Sequence, residues 1–213
     1  MELDTAHRRM IESLKRLGVK QEVLRAMDKV PRHYFVPENR KYEAYVDHPL
    51  PIGDGQTISA PHMVAIMCDL LDIEPGNRIL EVGAGSGYHA AVMAELVGEE
   101  GKIYTIERFE GLAATARENL RRAGYTNVEI FVGDGSLGLP EAAPFDRINV
   151  TCAAPDIPPP LLDQLKVGGK MVIPIGRYVQ DLHLIEKRAD GISRKIKGGV
   201  VFVPLIGEYG FKE

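Results

Sequence analysis

The chain has 213 residues, of which 45% are hydrophobic and 26% are charged, as in an ordinary globular protein. Its formal net charge of -4 argues against a protein that coats nucleic acid by neutralising phosphates. No apolar run is long enough to span a bilayer, and the N-terminal residues lack the apolar core of a signal peptide. We therefore expect a cytoplasmic protein.

The two cysteines, Cys68 and Cys152, lie in apolar runs that are predicted to form a helix and the end of a strand. Both are expected to be small buried hydrophobic residues. A disulfide framework or a zinc site would need more sulfur, or histidines at ligand spacing. We therefore predict no metal site.

Apolar residues at helical spacing predict a helix over 7–17, which Gly18 ends, and a second helix from about Gln21 to Val30. The proline-rich and aromatic segment that follows, up to residue 55, is predicted to be irregular. A third helix is expected to begin near Pro61. Residues 1–60 would then form a helical cap and a substrate loop.

From Arg78 onward, short β-branched runs alternate with helical segments. This alternation is typical of βαβ units, in which helices cover both faces of a parallel sheet. The stretches 181–188 and 194–205 differ, because they predict two antiparallel strands at the sheet edge. We predict a single doubly wound α/β domain, with its core over 61–180 and C-terminal strands over 181–213.

The stretch ILEVGAGSGY, residues 79–88, runs from a predicted strand through a glycine turn into a helix. Gly83, Gly85 and Gly87 permit a tight turn and allow a ligand to approach the backbone and the free N–H groups of the helix. The next strand ends at Glu107, about 20 residues on, where a carboxylate can bind two ribose hydroxyls. The pattern indicates a nucleotide site, although a plain tight turn is the alternative.

Two residues indicate which nucleotide this turn would bind. Tyr88 occupies the position of the third glycine in the dinucleotide pattern, and its bulk would obstruct a pyrophosphate. Glu81 would repel a phosphate but suits a ligand with a positive charge. A ligand that combines an ammonium group, a ribose and an adenine is S-adenosylmethionine.

EVGAGSGY and the acidic end of the next strand resemble the class I methyltransferases, whose cofactor is S-adenosylmethionine and whose fold is Rossmann-like. GDG at 133–135 stands where that family places the acidic residue that faces the adenine, although Asp-Gly is also a common turn. The chain is similar to the protein-L-isoaspartate O-methyltransferases over nearly its whole length, notably in VPRHYFVP, GDGQTISAPHM and FDRINVTCAAP. The resemblance implies cofactor contacts from Glu81, Gly83, Ala84, Gly85, Gly87, Glu107, Gly133, Asp134 and Gly135.

The resemblance also implies that GDGQTISAP, residues 53–61, holds the isoaspartyl carboxylate, with Ser59 at the catalytic position. Considered by residue type alone, Ser59 could instead cap the third helix, with Pro61 in its first turn. His62 is equally consistent with packing, solvent or substrate contact. The implied substrate-binding residues are Thr57, Ile58, Ser59, Ala60 and His62.

The implied function is a repair methyltransferase that esterifies isoaspartyl residues of damaged proteins and acts as a monomer without nucleic acid or membrane. One alternative is a methyltransferase for a small molecule or a tRNA base. A base methylase would be expected to carry an aromatic residue for stacking after the fourth strand, and TCAAPDIPPP lacks one. The other alternative is a non-catalytic module that binds S-adenosylmethionine.

Overall fold

Helices and strands alternate through most of residues 2–212, the part of the chain that the computed structural model describes. The α-helices are α1 (Leu3–Arg16), α2 (Gln21–Lys29), α3 (Pro61–Leu71), α4 (Tyr88–Val97), α5 (Glu110–Ala123) and α6 (Pro159–Gln164). The strands are β1 (Leu50–Gly53), β2 (Gln56–Ile58), β3 (Arg78–Val82), β4 (Lys102–Glu107), β5 (Val128–Val132), β6 (Phe145–Val150), β7 (Leu165–Ile175), β8 (Gln180–Arg188) and β9 (Gly191–Val200). Short 3-10 turns cover Arg32–Tyr34, Glu38–Glu43, Gly135–Leu137 and Pro140–Ala142.

The main sheet has seven strands in the order β5–β4–β3–β6–β7–β8–β9. The first five are parallel to one another, whereas β8 is antiparallel to β7 and β9 is antiparallel to β8 at one edge. The predicted doubly wound, mostly parallel α/β fold with an antiparallel C-terminal edge is confirmed. Because β3 lies between β4 and β6, the carboxyl ends of these three strands meet at one edge of the sheet, where ligands bind in such folds.

The two faces of the sheet pack into two apolar clusters. On one face, Ile79 and Ile103 pack with helices α1 to α4. On the other, Leu80 and Val82 pack with Ile148 and with residues of α6. Successive side chains of a strand point to opposite faces. Glu81, between two residues of the second cluster, therefore points toward the helices of the first.

The prediction that the segment up to residue 55 is irregular is wrong at its C-terminal end. There β1 and β2 form a two-stranded antiparallel hairpin. Asp54 and Gly55 connect the strands with φ angles of 49° and 69°. Two residues at positive φ are typical of a type I′ hairpin turn, for which Asp-Gly is a preferred sequence. Strands of four and three residues are too short to show the alternation that identifies longer ones.

The predicted strand 194–205 is wrong at its C-terminal end. Strand β9 ends at Val200, after a bulge near Gly198. The chain then turns back to the carboxyl end of β6, where the Ala153 amide donates to the Val203 carbonyl and the Leu205 amide donates to the Ala153 carbonyl, both at 2.8 Å. Residues 203–206 are thereby brought to the same edge of the sheet as the glycine turn.

Helix α3 begins at Pro61 with Ala60 as its N-cap residue, and neither Ala60 nor Ser59 provides a side-chain cap. The suggestion that Ser59 caps this helix is therefore wrong. Asp47 provides the acceptor instead, because its Oδ1 accepts a hydrogen bond from the His62 amide at 2.9 Å. The same oxygen lies 2.9 Å from His62 Nδ1. A distant aspartate thus satisfies a free N–H of the first turn.

We expect Asp47→Ala to lower the free energy of unfolding by about 1 kcal/mol, the usual cost of losing a side-chain helix cap. Asp47→Asn keeps an oxygen acceptor and should lose clearly less. Urea denaturation of the two variants and the wild type measures the difference. Equal stability of Asp47→Ala and the wild type would show that the contact caps nothing.

Candidate active site

An open cavity of about 250 Å³ lies at the carboxyl ends of β3, β4 and β6, next to the β1–β2 hairpin. Most of the predicted site residues come together in its wall. The predicted residues that line it are Thr57, Ile58, Ser59, Gly83, Ala84, Gly85, Glu107, Gly133 and Gly135. The predicted residues that do not are Ala60, His62, Glu81, Gly87 and Asp134.

Backbone amides of the turn after β3 hold this turn against the end of β4. The amides of Gly83 and Ala84 donate to the Ile106 carbonyl at 2.8 and 3.2 Å. Gly83, at φ 96°, leaves no room for a side chain, since a Cβ there would overlap the Thr151 hydroxyl. Gly85, at φ 52°, exposes its backbone to the cavity. The turn therefore presents bare backbone to a ligand.

Glu107 is buried at the end of β4, and both of its carboxylate oxygens accept backbone hydrogen bonds. Oε2 accepts from the Gly85 amide at 2.9 Å and Oε1 accepts from the Phe109 amide at 3.1 Å. A carboxylate has about four lone-pair sites, so two remain available. Because Glu107 also lines the cavity, those sites suit a pair of ribose hydroxyls, as the sequence predicts.

Glu81 lies behind the cavity wall, not in it. Its side chain is fully buried on the helix-covered face of the sheet, beside its register partners Thr105 and Asn149. Oε2 accepts a 2.6 Å hydrogen bond from Thr105, and Oε1 has no partner within residues 2–212. Burial raises the pKa of Glu81 to about 8, with the Thr105 hydrogen bond opposing the rise and the charge of Glu107 adding to it. The carboxyl is therefore largely protonated at neutral pH.

His89, on the first turn of α4, is a cavity residue that the sequence analysis missed. Its Nε2 lies 3.4 Å from the Cys68 sulfur, and the Asn149 side-chain nitrogen lies 3.3 Å from its Nδ1. Burial, followed by the positive charge of Arg32, lowers its pKa to about 3, so the ring is neutral. Burial also raises the pKa of the Cys152 thiol, which lines the cavity. Neither group is ionised near neutral pH.

The substrate segment places Ser59 at the cavity with its side chain half-buried, and Thr57 beside it with an exposed side chain. The Ser59 carbonyl accepts a 2.7 Å hydrogen bond from Arg32 Nη2. His62 lies outside the cavity wall, where Asp47 engages its Nδ1. His62 is thus a partly exposed residue that contacts Asp47, and its contact with substrate stays a prediction.

Asp134 turns away from the cavity between two glycines that line it. Its Oδ1 accepts from the amide and hydroxyl of Ser136 at 2.8 and 2.7 Å, and its Oδ2 accepts from the Glu208 amide at 2.7 Å. The carboxylate is thus occupied in joining its own turn to the C-terminal segment. The side chain thus takes part in its own turn, and its contact with the cofactor stays a prediction.

Several further cavity residues could not be found from sequence. Thr151 follows β6 and donates to the Gly83 carbonyl at 2.7 Å, which supports the glycine turn from the opposite side. Residues 203–206 line the cavity because the chain returns from β9 to Ala153. Thr151 lies within FDRINVTCAAP, but neither this stretch nor residues 203–206 has a spacing that predicts a place at the cavity. The cavity residues that were not individually predicted as site residues are Gln56, Val64, Val82, Ser86, Tyr88, His89, Ile106, Arg108, Phe109, Thr151, Cys152, Val203, Pro204, Leu205 and Ile206.

No group of three or more His, Cys, Asp or Glu side chains within residues 2–212 is arranged to hold a metal ion. No helix in the same range combines the length and the apolar character that crossing a membrane requires.

Comparison with solved structures identifies two close matches. A protein-L-isoaspartate O-methyltransferase superimposes with a TM-score of 0.88 at 31% identity, over 96% of this chain and 67% of that one. A Plasmodium falciparum protein assigned the same activity, in complex with S-adenosyl-L-homocysteine, superimposes with a TM-score of 0.84 at 32% identity, over 94% and 98% of the two chains.

Sequence comparison agrees. The Methanopyrus kandleri protein-L-isoaspartate O-methyltransferase is 60% identical, over 98% of this chain and 94% of its own. An Archaeoglobus fulgidus protein-L-isoaspartate O-methyltransferase is 58% identical, over 100% and 98%. Residues 5–210 match the family described as protein-L-isoaspartate(D-aspartate) O-methyltransferase. The chain belongs to the protein-L-isoaspartate(D-aspartate) O-methyltransferase family.

Proposed function

We propose that this protein transfers the methyl group of S-adenosylmethionine to the free carboxylate of L-isoaspartyl residues in damaged proteins. The observation that supports this most directly is that the glycine turn with Glu107 and the Thr57–Ser59 segment line one cavity. The first set suits the cofactor and the second suits the acceptor. A donor and an acceptor held in one small space react as if in one molecule.

The residues at the cavity fit S-adenosylmethionine. The backbone of Gly83 and Gly85 makes room for the amino-acid part, and Glu107 has free lone pairs for the ribose. Gly133 and Gly135 line the wall beyond it, where an adenine would lie. Asp134 supports this wall through Ser136 and Glu208. Glu81 lies behind this wall, where Thr105 donates to its carboxyl group, and its contact with the ammonium group stays a prediction.

When bound, S-adenosylmethionine supplies an electrophilic methyl group, which the isoaspartyl oxygen takes as the carbon–sulfur bond breaks. A carboxylate with an ordinary pKa of about 4 is already ionised at neutral pH, so no general base is required. The residues of the cavity are consistent with a reaction that needs no general base, because His89 is neutral and the Cys152 thiol is protonated. The protein contributes position and exclusion of water.

The ester product explains the repair. A methyl ester has a better leaving group than a carboxylate, so the following backbone nitrogen displaces methanol and closes a succinimide. Water then opens the ring at either carbonyl, and one of the two openings restores a normal aspartyl bond.

The setting of the enzyme is part of the proposal. We infer a cytoplasmic monomer of one domain, whose substrates are proteins and peptides and which binds neither nucleic acid nor membranes. The net charge of -4 supports the exclusion of nucleic acid.

The proposal is tested by transfer of labelled methyl groups to an isoaspartyl peptide, with the same peptide carrying normal aspartate as the control. We expect methylation of the first peptide and none of the second. In this assay Ser59→Ala should lower kcat by about tenfold or more, because a hydrogen bond to a charged group is lost.

The melting temperature of Ser59→Ala should stay near that of the wild type, because Ser59 is not the cap of α3. Ser193→Ala, at another half-buried serine on β9, is the matched control and should keep full activity. A Ser59→Ala enzyme with wild-type kcat would remove the assigned catalytic role.

The raised pKa of Glu81 predicts a pH dependence of stability in the cofactor-free protein. The folded state keeps a proton on Glu81 up to a pH of about 8, whereas the unfolded chain releases it at its ordinary value of 4.5. The preference of the folded state for the protonated Glu81 therefore adds to the free energy of unfolding. This contribution is fully present below pH 4.5 and is lost as the pH rises toward 8, by up to about 1.4 kcal/mol per pH unit.

Glu81→Gln keeps the shape and an acceptor for Thr105 but cannot titrate. Urea denaturation between pH 5 and 8 should therefore show a steeper loss of stability in the wild type than in Glu81→Gln. Parallel curves for the two proteins would mean that Glu81 titrates normally despite its burial.

A further inference from the structure

Arg32 is an arginine with no exposed surface, in the 3-10 turn that follows α2. Its guanidinium joins two separate segments of the chain. Nε donates to the Ala44 carbonyl and Nη2 donates to the Ser59 carbonyl, each at 2.7 Å. The N-terminal cap and the substrate segment are therefore connected through one side chain.

The charge of Arg32 has no paired carboxylate. No ion pair joins it to an aspartate or glutamate within residues 2–212, and its Nη1 has no hydrogen-bond partner there. The face of the Tyr88 ring lies 4.6 Å from the guanidinium carbon, and the carboxylate of Asp47 acts favourably on the charge from beyond ion-pair distance. Burying a cation without an anion is costly, and an apolar residue could join two segments at less expense of stability. An unpaired buried charge is therefore a candidate for a functional role.

The guanidinium lies just behind the substrate end of the cavity. Both Ser59, whose carbonyl it binds, and Tyr88, whose ring it faces, line that cavity. Its charge also acts on the neutral His89 of the same wall, where it contributes to the lowered pKa. Charges interact more strongly in a protein interior than in water, so this cation can act on an anion that it does not touch.

We propose that Arg32 is a positioning residue for methyl transfer. Its two hydrogen bonds fix the backbone of Ser59 and hence the direction of the hydroxyl, and its unpaired charge favours a carboxylate at this end of the cavity. A cation behind the wall attracts the acceptor without forming the direct ion pair that would stabilise the ground state more than the transition state. This inference rests on the proposed function.

Three variants separate charge from geometry. Arg32→Lys keeps the charge but has no planar fork to bind two carbonyls. Arg32→Met removes the charge at similar volume. Arg117→Met is the matched control, because exposed Arg117 also donates to a carbonyl, that of Ile130 at 2.7 Å, but lies away from the cavity. For each variant, kcat and KM for an isoaspartyl peptide, the Kd for S-adenosylhomocysteine and the melting temperature are measured.

For Arg32→Met we expect KM for the peptide to rise by about tenfold, with the Kd for S-adenosylhomocysteine within about twofold of wild type. Arg32→Lys should keep a near-normal KM and lose kcat. Combined with Ser59→Ala, Arg32→Lys should cost less than the product of the two single losses, because both changes disrupt one hydroxyl position. A purely structural arginine would give multiplicative losses.

Wild-type kinetics in Arg32→Lys, or multiplicative losses in the double variant, would overturn the inference. If Arg32→Met does not fold, the cycle with Arg32→Lys still decides the question, since lysine retains the charge. A wild-type enzyme that binds S-adenosylhomocysteine but leaves the isoaspartyl peptide unmethylated would instead overturn the proposed function.

Discussion

The hydrogen bond from the Gly85 amide to the Glu107 carboxylate ties the turn after β3 to the end of β4. Together with the amides of Gly83 and Ala84 on the Ile106 carbonyl, it converts a flexible glycine sequence into a fixed wall. It uses one lone-pair site on Oε2, and with the Phe109 amide on Oε1 two of the about four sites of the Glu107 carboxylate remain for a ligand. The cofactor end of the cavity depends on this attachment, and the attachment depends on the parallel register of β3 and β4.

The substrate end is built by a different means. There the segment through Ser59 belongs to no strand of the main sheet, and side chains hold it in place. Arg32 holds its carbonyl, and Asp47 holds the helix that follows. The family to which the chain belongs uses S-adenosylmethionine to methylate isoaspartyl residues, and that reaction needs placement more than acid–base catalysis. The glycine turn fixed by backbone hydrogen bonds, opposite a segment that side chains hold in place, is consistent with a reaction that depends on placement.

The features that depend on local chemistry could be predicted from the sequence. The strand–turn–helix over 79–88 and the acid at Glu107 were predicted because glycine spacing and a strand end are local features. The hairpin turn at Asp54 was overlooked although Asp-Gly is its usual sequence, since its strands are very short. The rest of the cavity could not be predicted, because the return of 203–206 to Ala153 and the partners of Asp134 depend on tertiary packing.

The way in which Asp134 is held has a consequence for the ageing of the protein itself. Isoaspartate arises when the backbone nitrogen after an aspartate attacks its protonated carboxyl group, and a following glycine obstructs this least. The chain contains three Asp-Gly pairs, and the one at the cavity is Asp134–Gly135. Burial acts to raise the pKa of Asp134, but the hydrogen bonds from Ser136 and Glu208 outweigh burial and hold this pKa below its ordinary value. The carboxylate is thus kept ionised and immobile, which disfavours, at the Asp-Gly pair of the cavity wall, the lesion that the family repairs in other proteins.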